Sequence, residues 1–214
     1  MLESKMSMRI VIVDYGAGNI RSVERAVARC GKEATISSDP EAVAGADVVI
    51  VPGVGAAADT MRNLQERSLV EPIKSFVVSG RPYLGICMGL QALLTISEEG
   101  GEHRCLDVIS GRVLRLPDAV KVPHMGWNQV RQKKSHPVFE GIPDASYFYF
   151  VHSYYPAPSD GDAVIGETDY GVTFASALAR DNVVATQFHP EKSGEVGLHF
   201  YRNFLHWAAG KKAG

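Results

Sequence analysis

Residues 82–91 read Pro-Tyr-Leu-Gly-Ile-Cys-Met-Gly-Leu-Gln: an apolar run, then a cysteine with glycine two residues before it and two after. Pro82 to Ile86 is long enough for one buried strand, and Leu90, Leu93, Leu94 and Ile96 recur beyond it at helical spacing. The pattern predicts Cys87 in the turn between a strand and a helix. Gly-x-Cys-x-Gly is then the sulfur counterpart of the Gly-x-Ser-x-Gly nucleophile elbow, a turn that leaves little room for a Cβ beside the nucleophile. A thiol at a helix start also feels the positive end of the backbone dipoles, which favours the thiolate. Most lone cysteines only fill core space; the paired glycines and the strand–helix junction favour the nucleophile.

A strand–turn–helix of this kind requires a sheet around it, and the chain supplies one. Met8 to Asp14 and Asp47 to Val51 are near-continuous apolar runs, the pattern of strands buried on both faces of a parallel sheet, and Glu33 to Ser37 reads as a further short strand. Ile20, Val23, Ala26 and Val27 mark a helix ending near Gly31, and one or two helices are expected between Ala57 and Gly80, interrupted around Ser68 to Pro72. Gly16-Ala17-Gly18 invites a dinucleotide-binding reading, but Gly-x-Gly-x-x-Gly needs glycine at 21, where Arg21 stands.

The expected fold class is α/β, a mostly parallel open sheet flanked by helices with right-handed crossovers. After Gly101 the segments 108–116, 127–130, 146–153, 163–168 and 174–177 read as antiparallel strands, extending the sheet or appended to it. Ser193 to Ala209 reads as an amphipathic helix with Val196, Phe200, Phe204 and Leu205 inward. With 214 residues and no low-complexity linker, one domain over 8–210 is expected, preceded by a disordered tail, 1–7.

Composition excludes some functions. A net charge of -2 argues against a chain-wide nucleic-acid surface, and no apolar run approaches the ~20 residues of a membrane span. Cys30, Cys87 and Cys105 include no Cys-x-x-Cys, which fits a reducing compartment, the cytoplasm. No metal site and no cofactor is expected.

Two further stretches add chemistry to the thiol. The strand Val183 to Phe188 runs into His189-Pro190-Glu191, and residues two apart on extended backbone share a face. Glu191 then orients one nitrogen of His189 and leaves the other for Cys87, the base-plus-orienter arrangement of a triad; alone, the tripeptide is equally a solvated turn. Pro52-Gly53-Val54-Gly55 follows the third strand, at the sheet edge where α/β sites form. Gly53 and Val54 are candidate backbone oxyanion donors with Met88, although the loop by itself is as readily a turn without chemistry.

Gly85 to Gln91 with His189-Pro190-Glu191 resembles the class I glutamine amidotransferases, whose triad is Cys-His-Glu. Val122-Pro123-His124-Met125-Gly126-Trp127-Asn128, Tyr147 to Tyr154, Asp14 to Asn19 and His189 to Ser193 narrow the resemblance to glutaminase subunits of imidazole glycerol phosphate synthases. The tail 1–7 and the loop 131–144 lie outside the pattern. The resemblance implies hydrolysis of glutamine to glutamate and ammonia by Cys87, His189 and Glu191. Gly55, Gln91 and Glu99, with the backbone at Ser153 and Tyr154, would hold the substrate. Asn19, Trp127, Tyr149 and Lys192 would face a barrel-shaped (β/α) cyclase subunit, the obligate heterodimer partner that receives the ammonia; core packing is the alternative for Trp127 and Tyr149. The resemblance also implies poor activity in the isolated chain, with a peptide flip at Gly53 as the switch. The rival readings are a glutaminase of another synthase, such as the anthranilate type, and a non-enzymatic thiol sensor, which leaves His189-Pro190-Glu191 unexplained.

Overall fold

The first strand, β1 (Ile10–Val13), is buried at every position because each face of it belongs to a different core. Ile10 and Ile12 pack with one cluster, Val11 and Val13 with the other, and β3 (Val48–Val51) divides its residues in the same alternation. The computed structural model describes residues 8–211; the expected tail, 1–7, lies outside the described residues. One face is covered by α1 (Ile20–Arg29) and α6 (Gly194–Lys211), which contribute Val23, Val27, Phe200 and Phe204. The other is covered by α3 (Ala57–Glu66) and α4 (Val70–Val78), through Met61, Leu64, Ile73 and Phe76.

With β2 (Ala34–Ser37), β4 (Tyr83–Ile86) and β13 (Val183–Thr186), these strands form five parallel neighbours in the order β2-β1-β3-β4-β13. The sheet continues antiparallel through β12 (Thr173–Arg180), β11 (Val164–Asp169), β8 (His124–Gln132) and β9 (Ser146–His152), giving nine strands. The α/β class and the antiparallel extension agree with the sequence reading. A second, four-stranded sheet, in the order β10-β7-β5-β6, joins β10 (Tyr154–Pro158), β7 (Gly111–Arg115), β5 (Ile96–Ser97) and β6 (His103–Arg104).

One local expectation is corrected, and short elements are added. The helix after Cys87 is a single turn, α5 (Met88–Gln91), and Ile96 lies in a strand. Leu93 and Leu94 are buried as expected, but their carbonyls accept from Val108, Ile109 and Asp107, so the backbone leaves the helix to pair with the next segment. Between β2 and β3 the chain forms a short helix, α2 (Pro40–Ala44); Asp39 caps it by accepting from the Glu41 N–H at 2.9 Å. The two-residue strands β5 and β6 are too short to leave an alternation in the sequence.

Candidate active site

The carboxyl ends of β1, β3, β4 and β13 lie side by side, and each delivers a functional segment: Tyr15 to Asn19, Pro52 to Gly55, Cys87, and Gln187 to His189. The elbow is built by glycine against backbone. A Cβ on Gly89 would lie 1.8 Å from the Val51 carbonyl oxygen, and one on Gly85 would lie 2.6 Å from the Gly89 carbonyl oxygen. Glycine at both positions is thus what lets α5 pack onto β3 and β4. Cys87 itself takes φ 55°, ψ -103°, a conformation L-residues avoid and one that active sites retain when the surroundings impose it. Its N–H donates to the Thr186 carbonyl at 2.7 Å, tying the elbow to β13.

Beyond β13, His189 is fully buried and its Nδ1 lies 2.7 Å from Glu191 Oε1, whose side chain is fully buried too. The turn carrying the pair is fixed by Ser193, whose hydroxyl donates to the His189 carbonyl at 2.7 Å and accepts from the Tyr149 N–H at 3.0 Å. His189 Nε2 is buried without a hydrogen-bond partner. Burial opposes a charge on the ring, but the Cys87 sulfur and the Glu191 carboxylate outweigh it and push the His189 pKa up to about 10. The direction of that shift favours the protonated ring.

Cys87 opens onto a cavity of about 220 Å³ lined by Val54, Gly55, Met88, Gln91, Glu99, Ser153 and Tyr154, together with Pro123, Val151 and His152. All five expected substrate-holding residues thus share one cavity with the thiol. Glu99 is half-buried, and one of its oxygens accepts from the Ala57 N–H at 2.7 Å, at the start of α3. The other oxygen is left as an acceptor. In the loop after β3, a Cβ on Gly53 would meet Tyr15 Oη at 2.0 Å and Met88 Cβ at 2.6 Å, so the loop lies directly on the first turn of α5. Gly55 has φ +111°, a value that L side chains rarely adopt.

The expected interface residues separate. Trp127 is 55% exposed, which rules out core packing for it, and meets Tyr149 edge-on at 6.1 Å. The Lys192 ammonium lies 5.9 Å from the Tyr149 ring centre. Asn19 opens α1 at φ 75° but caps nothing with its side chain; its amide donates to Glu191 Oε1, the oxygen that His189 also contacts.

Sequence reasoning missed Gln187. Its side chain is fully buried, its Nε2 donates to Cys87 Sγ at 3.5 Å, and its Oε1 accepts from Gln91 Nε2 at 2.9 Å. The available signal was its position, two residues before His189 and so on the same side of an extended strand. Tyr201 was also missed; its hydroxyl and Glu191 Oε2 are both buried without a partner, and burial followed by the Glu191 charge raises the Tyr201 pKa. No cluster of three or more metal-ligating side chains occurs among the described residues.

On this fold, with its cysteine elbow and its buried His–Glu pair beside one cavity, the family model for glutamine amidotransferase class-I matches residues 11–207: the chain belongs to that family. It is 52% identical over 203 residues to the imidazole glycerol phosphate synthase subunit HisH of Dehalococcoides mccartyi (strain CBDB1), covering 95% of this chain and 99% of that protein. The protein of the same name from Syntrophotalea carbinolica is 51% identical over 202 residues, covering 91% and 98%. Among solved structures, PurLQS from Thermotoga maritima superposes with a TM-score of 0.73 at 17% identity, covering 94% of this chain and 99% of that one. The glutaminase domain of Trypanosoma brucei CTPS superposes at 0.66 and 17%, covering 95% and 94%. Both are likenesses of fold alone.

Proposed function

We propose that this chain is the glutaminase subunit of an imidazole glycerol phosphate synthase, with residues 8–210 acting as one catalytic unit. The observation that carries the chemistry is the buried His189–Glu191 pair, 2.7 Å apart, behind a cysteine that opens onto the cavity containing Gln91 and Glu99. About half of all positions shared with the subunits of that name, over 95% of the chain, supports the assignment to that synthase over an anthranilate-type one.

With the proton on His189, Cys87 enters as the thiolate and attacks the γ-carbonyl carbon of glutamine. The oxyanion is met by backbone N–H groups at Met88 and in the Gly53–Val54 segment. As the C–N bond breaks, His189 gives its proton to the leaving ammonia, and a γ-glutamyl thioester remains on Cys87. The ring, now neutral, takes a proton from water; the hydroxide adds to the thioester, and collapse releases glutamate and restores the thiolate. Glu191 holds the ring through Nδ1 and stabilises its charge, and Asn19 holds Glu191. Glu99 pairs with the α-ammonium of the substrate.

Ammonia then passes to a cyclase subunit docked on the exposed apolar surface of Met125, Trp127 and Tyr147, which are 63%, 55% and 55% exposed. The partner also favours the orientation of the Gly53 peptide in which an N–H faces the oxyanion. Three free thiols, Cys30, Cys87 and Cys105, support a cytoplasmic location. The test is Cys87→Ser in the complex with the cyclase: glutamine-dependent synthesis is lost while ammonium-fed synthesis persists. Loss of both in a folded complex contradicts the role given to Cys87.

A further inference from the structure

The stretch His124 to Asn128 lies on β8, and its alternation divides two tasks. Met125 and Trp127 are exposed, while His124 is buried and Asn128 half-buried behind them. His124 is paired in register with His152, the last residue of β9, and the two rings meet edge-on, Nδ1 of His124 lying 3.0 Å from Nε2 of His152. Phe150 and Tyr170 stack on the His124 ring at 4.9 and 3.9 Å.

The proton positions in this pair follow from their outer partners. His152 Nδ1 lies 2.9 Å from the Tyr154 carbonyl oxygen, which only accepts, so Nδ1 carries the hydrogen and Nε2 the lone pair. His124 must then donate to it from Nδ1. His124 Nε2 is left as an acceptor, and it faces Asn128 Nδ2 at 3.3 Å, a group that only donates. One assignment satisfies every link without a charge on either ring. The chain ends on the carbonyl that also accepts from Gln91 Nε2 at 2.9 Å. Gln91 Nε2 gives its other hydrogen to Gln187 Oε1, so both its hydrogens go to protein and its Oε1 is left for the substrate.

We propose that His124 is a positioning residue of the glutamine cavity: through His152 it fixes the Tyr154 carbonyl, and through that carbonyl the orientation of Gln91. The inference rests on the glutaminase reading above. A carbonyl held by donors from two side chains is preorganised, and a binding amide anchored to it keeps its acceptor in place before substrate arrives. Burial supports the neutral chain, lowering the His124 pKa to about 4; for His152, burial above all, against the Tyr154 hydrogen bond, gives about 3.

Two substitutions separate positioning from packing. His124→Phe keeps a ring between Phe150 and Tyr170 but cannot donate to His152. His124→Asn loses the stack but puts an amide N–H near the place of Nδ1. In the complex with the cyclase, His124→Phe is expected to raise the KM for glutamine about tenfold, the worth of one net hydrogen bond, with kcat within about twofold. His124→Asn is expected to stay closer to the parent. Equal losses, or a worse Asn variant, overturn the proposal, since a packing role ranks them that way. If neither variant folds, the unsubstituted chain decides by nitrogen-15 NMR of its imidazoles. Both rings neutral and protonated at Nδ1 at pH 7 support the chain; a charged ring or an Nε2-protonated one overturns it. A parent complex without glutaminase activity contradicts the functional reading instead, and leaves the NMR result standing.

Discussion

Gln187→Leu removes the side-chain amide that donates to the Cys87 sulfur, at 3.5 Å, while keeping an apolar side chain in a fully buried site. A hydrogen bond to a charged acceptor contributes about 1.5–3 kcal/mol. At 1.36 kcal/mol per tenfold, the loss corresponds to a fall of roughly 10- to 150-fold in kcat/KM for glutamine. A second cost falls on Gln91, whose Nε2 loses the Gln187 Oε1 acceptor inside the protein. A buried donor left unpaired costs about 1–3 kcal/mol, which at ~2–4 °C per kcal/mol for a chain of this size lowers Tm by a few to about 10 °C. The assay is glutaminase turnover in the complex, with ammonium-fed synthesis as the control for folding and docking. Glutamine turnover should fall while ammonium turnover holds. A folded variant whose kcat/KM stays within twofold of the parent refutes the view that Gln187 supports the thiolate.

Two other expectations come from packing and charge. Gly89→Ala drives a methyl to within 1.8 Å of the Val51 carbonyl oxygen, a backbone atom that cannot rotate away; overpacking of this kind costs about 1–3 kcal/mol or more, so chemical unfolding should show a loss at least that large, and a neutral result contradicts the elbow geometry. The stability of the chain against pH should be bell-shaped. His124 and His152, held low at about 4 and about 3, contribute stability present above the unfolded value of 6.5 and lost as pH falls toward the folded values. His189, held up at about 10, contributes stability present below 6.5 and lost as pH rises through about 10. The ring of His189 also disfavours charge on His152, Asn128 faces His124, and His136, likewise held below its ordinary value by burial and then by the Lys211 charge, adds to the acid limb of the pair. Denaturant titrations at a series of pH values should show both limbs, and a flat acid limb contradicts the neutral pair.

Much of the fold was legible because burial on both faces writes itself into β1, β3, β4 and β13 as continuous apolar runs, and two-faced burial in this number implies a parallel sheet. The placing of Cys87 and His189 at one sheet edge was legible for a related reason: each directly follows such a run or lies just beyond it. What was hidden depends on contacts distant in sequence. Leu93 and Leu94 continue a helical pattern, yet their carbonyls are taken by Asp107, Val108 and Ile109, and no local signal records that. Gln187 and the His124–His152 chain were missed because buried polar side chains reveal their partners only once strands are in register. Asn19 was expected at the partner surface, and its link to Glu191 spans 172 positions.

The central claim is that Cys87 forms a γ-glutamyl thioester whose release depends on the neutral His189 ring. The most direct test is an acid quench of the cyclase complex during turnover of isotopically labelled glutamine, followed by peptide mass spectrometry. The account predicts label on the peptide carrying Cys87, sensitive to hydroxylamine as a thioester is, and its disappearance in Cys87→Ser. Steady turnover with no label on Cys87, or label on another residue, contradicts it.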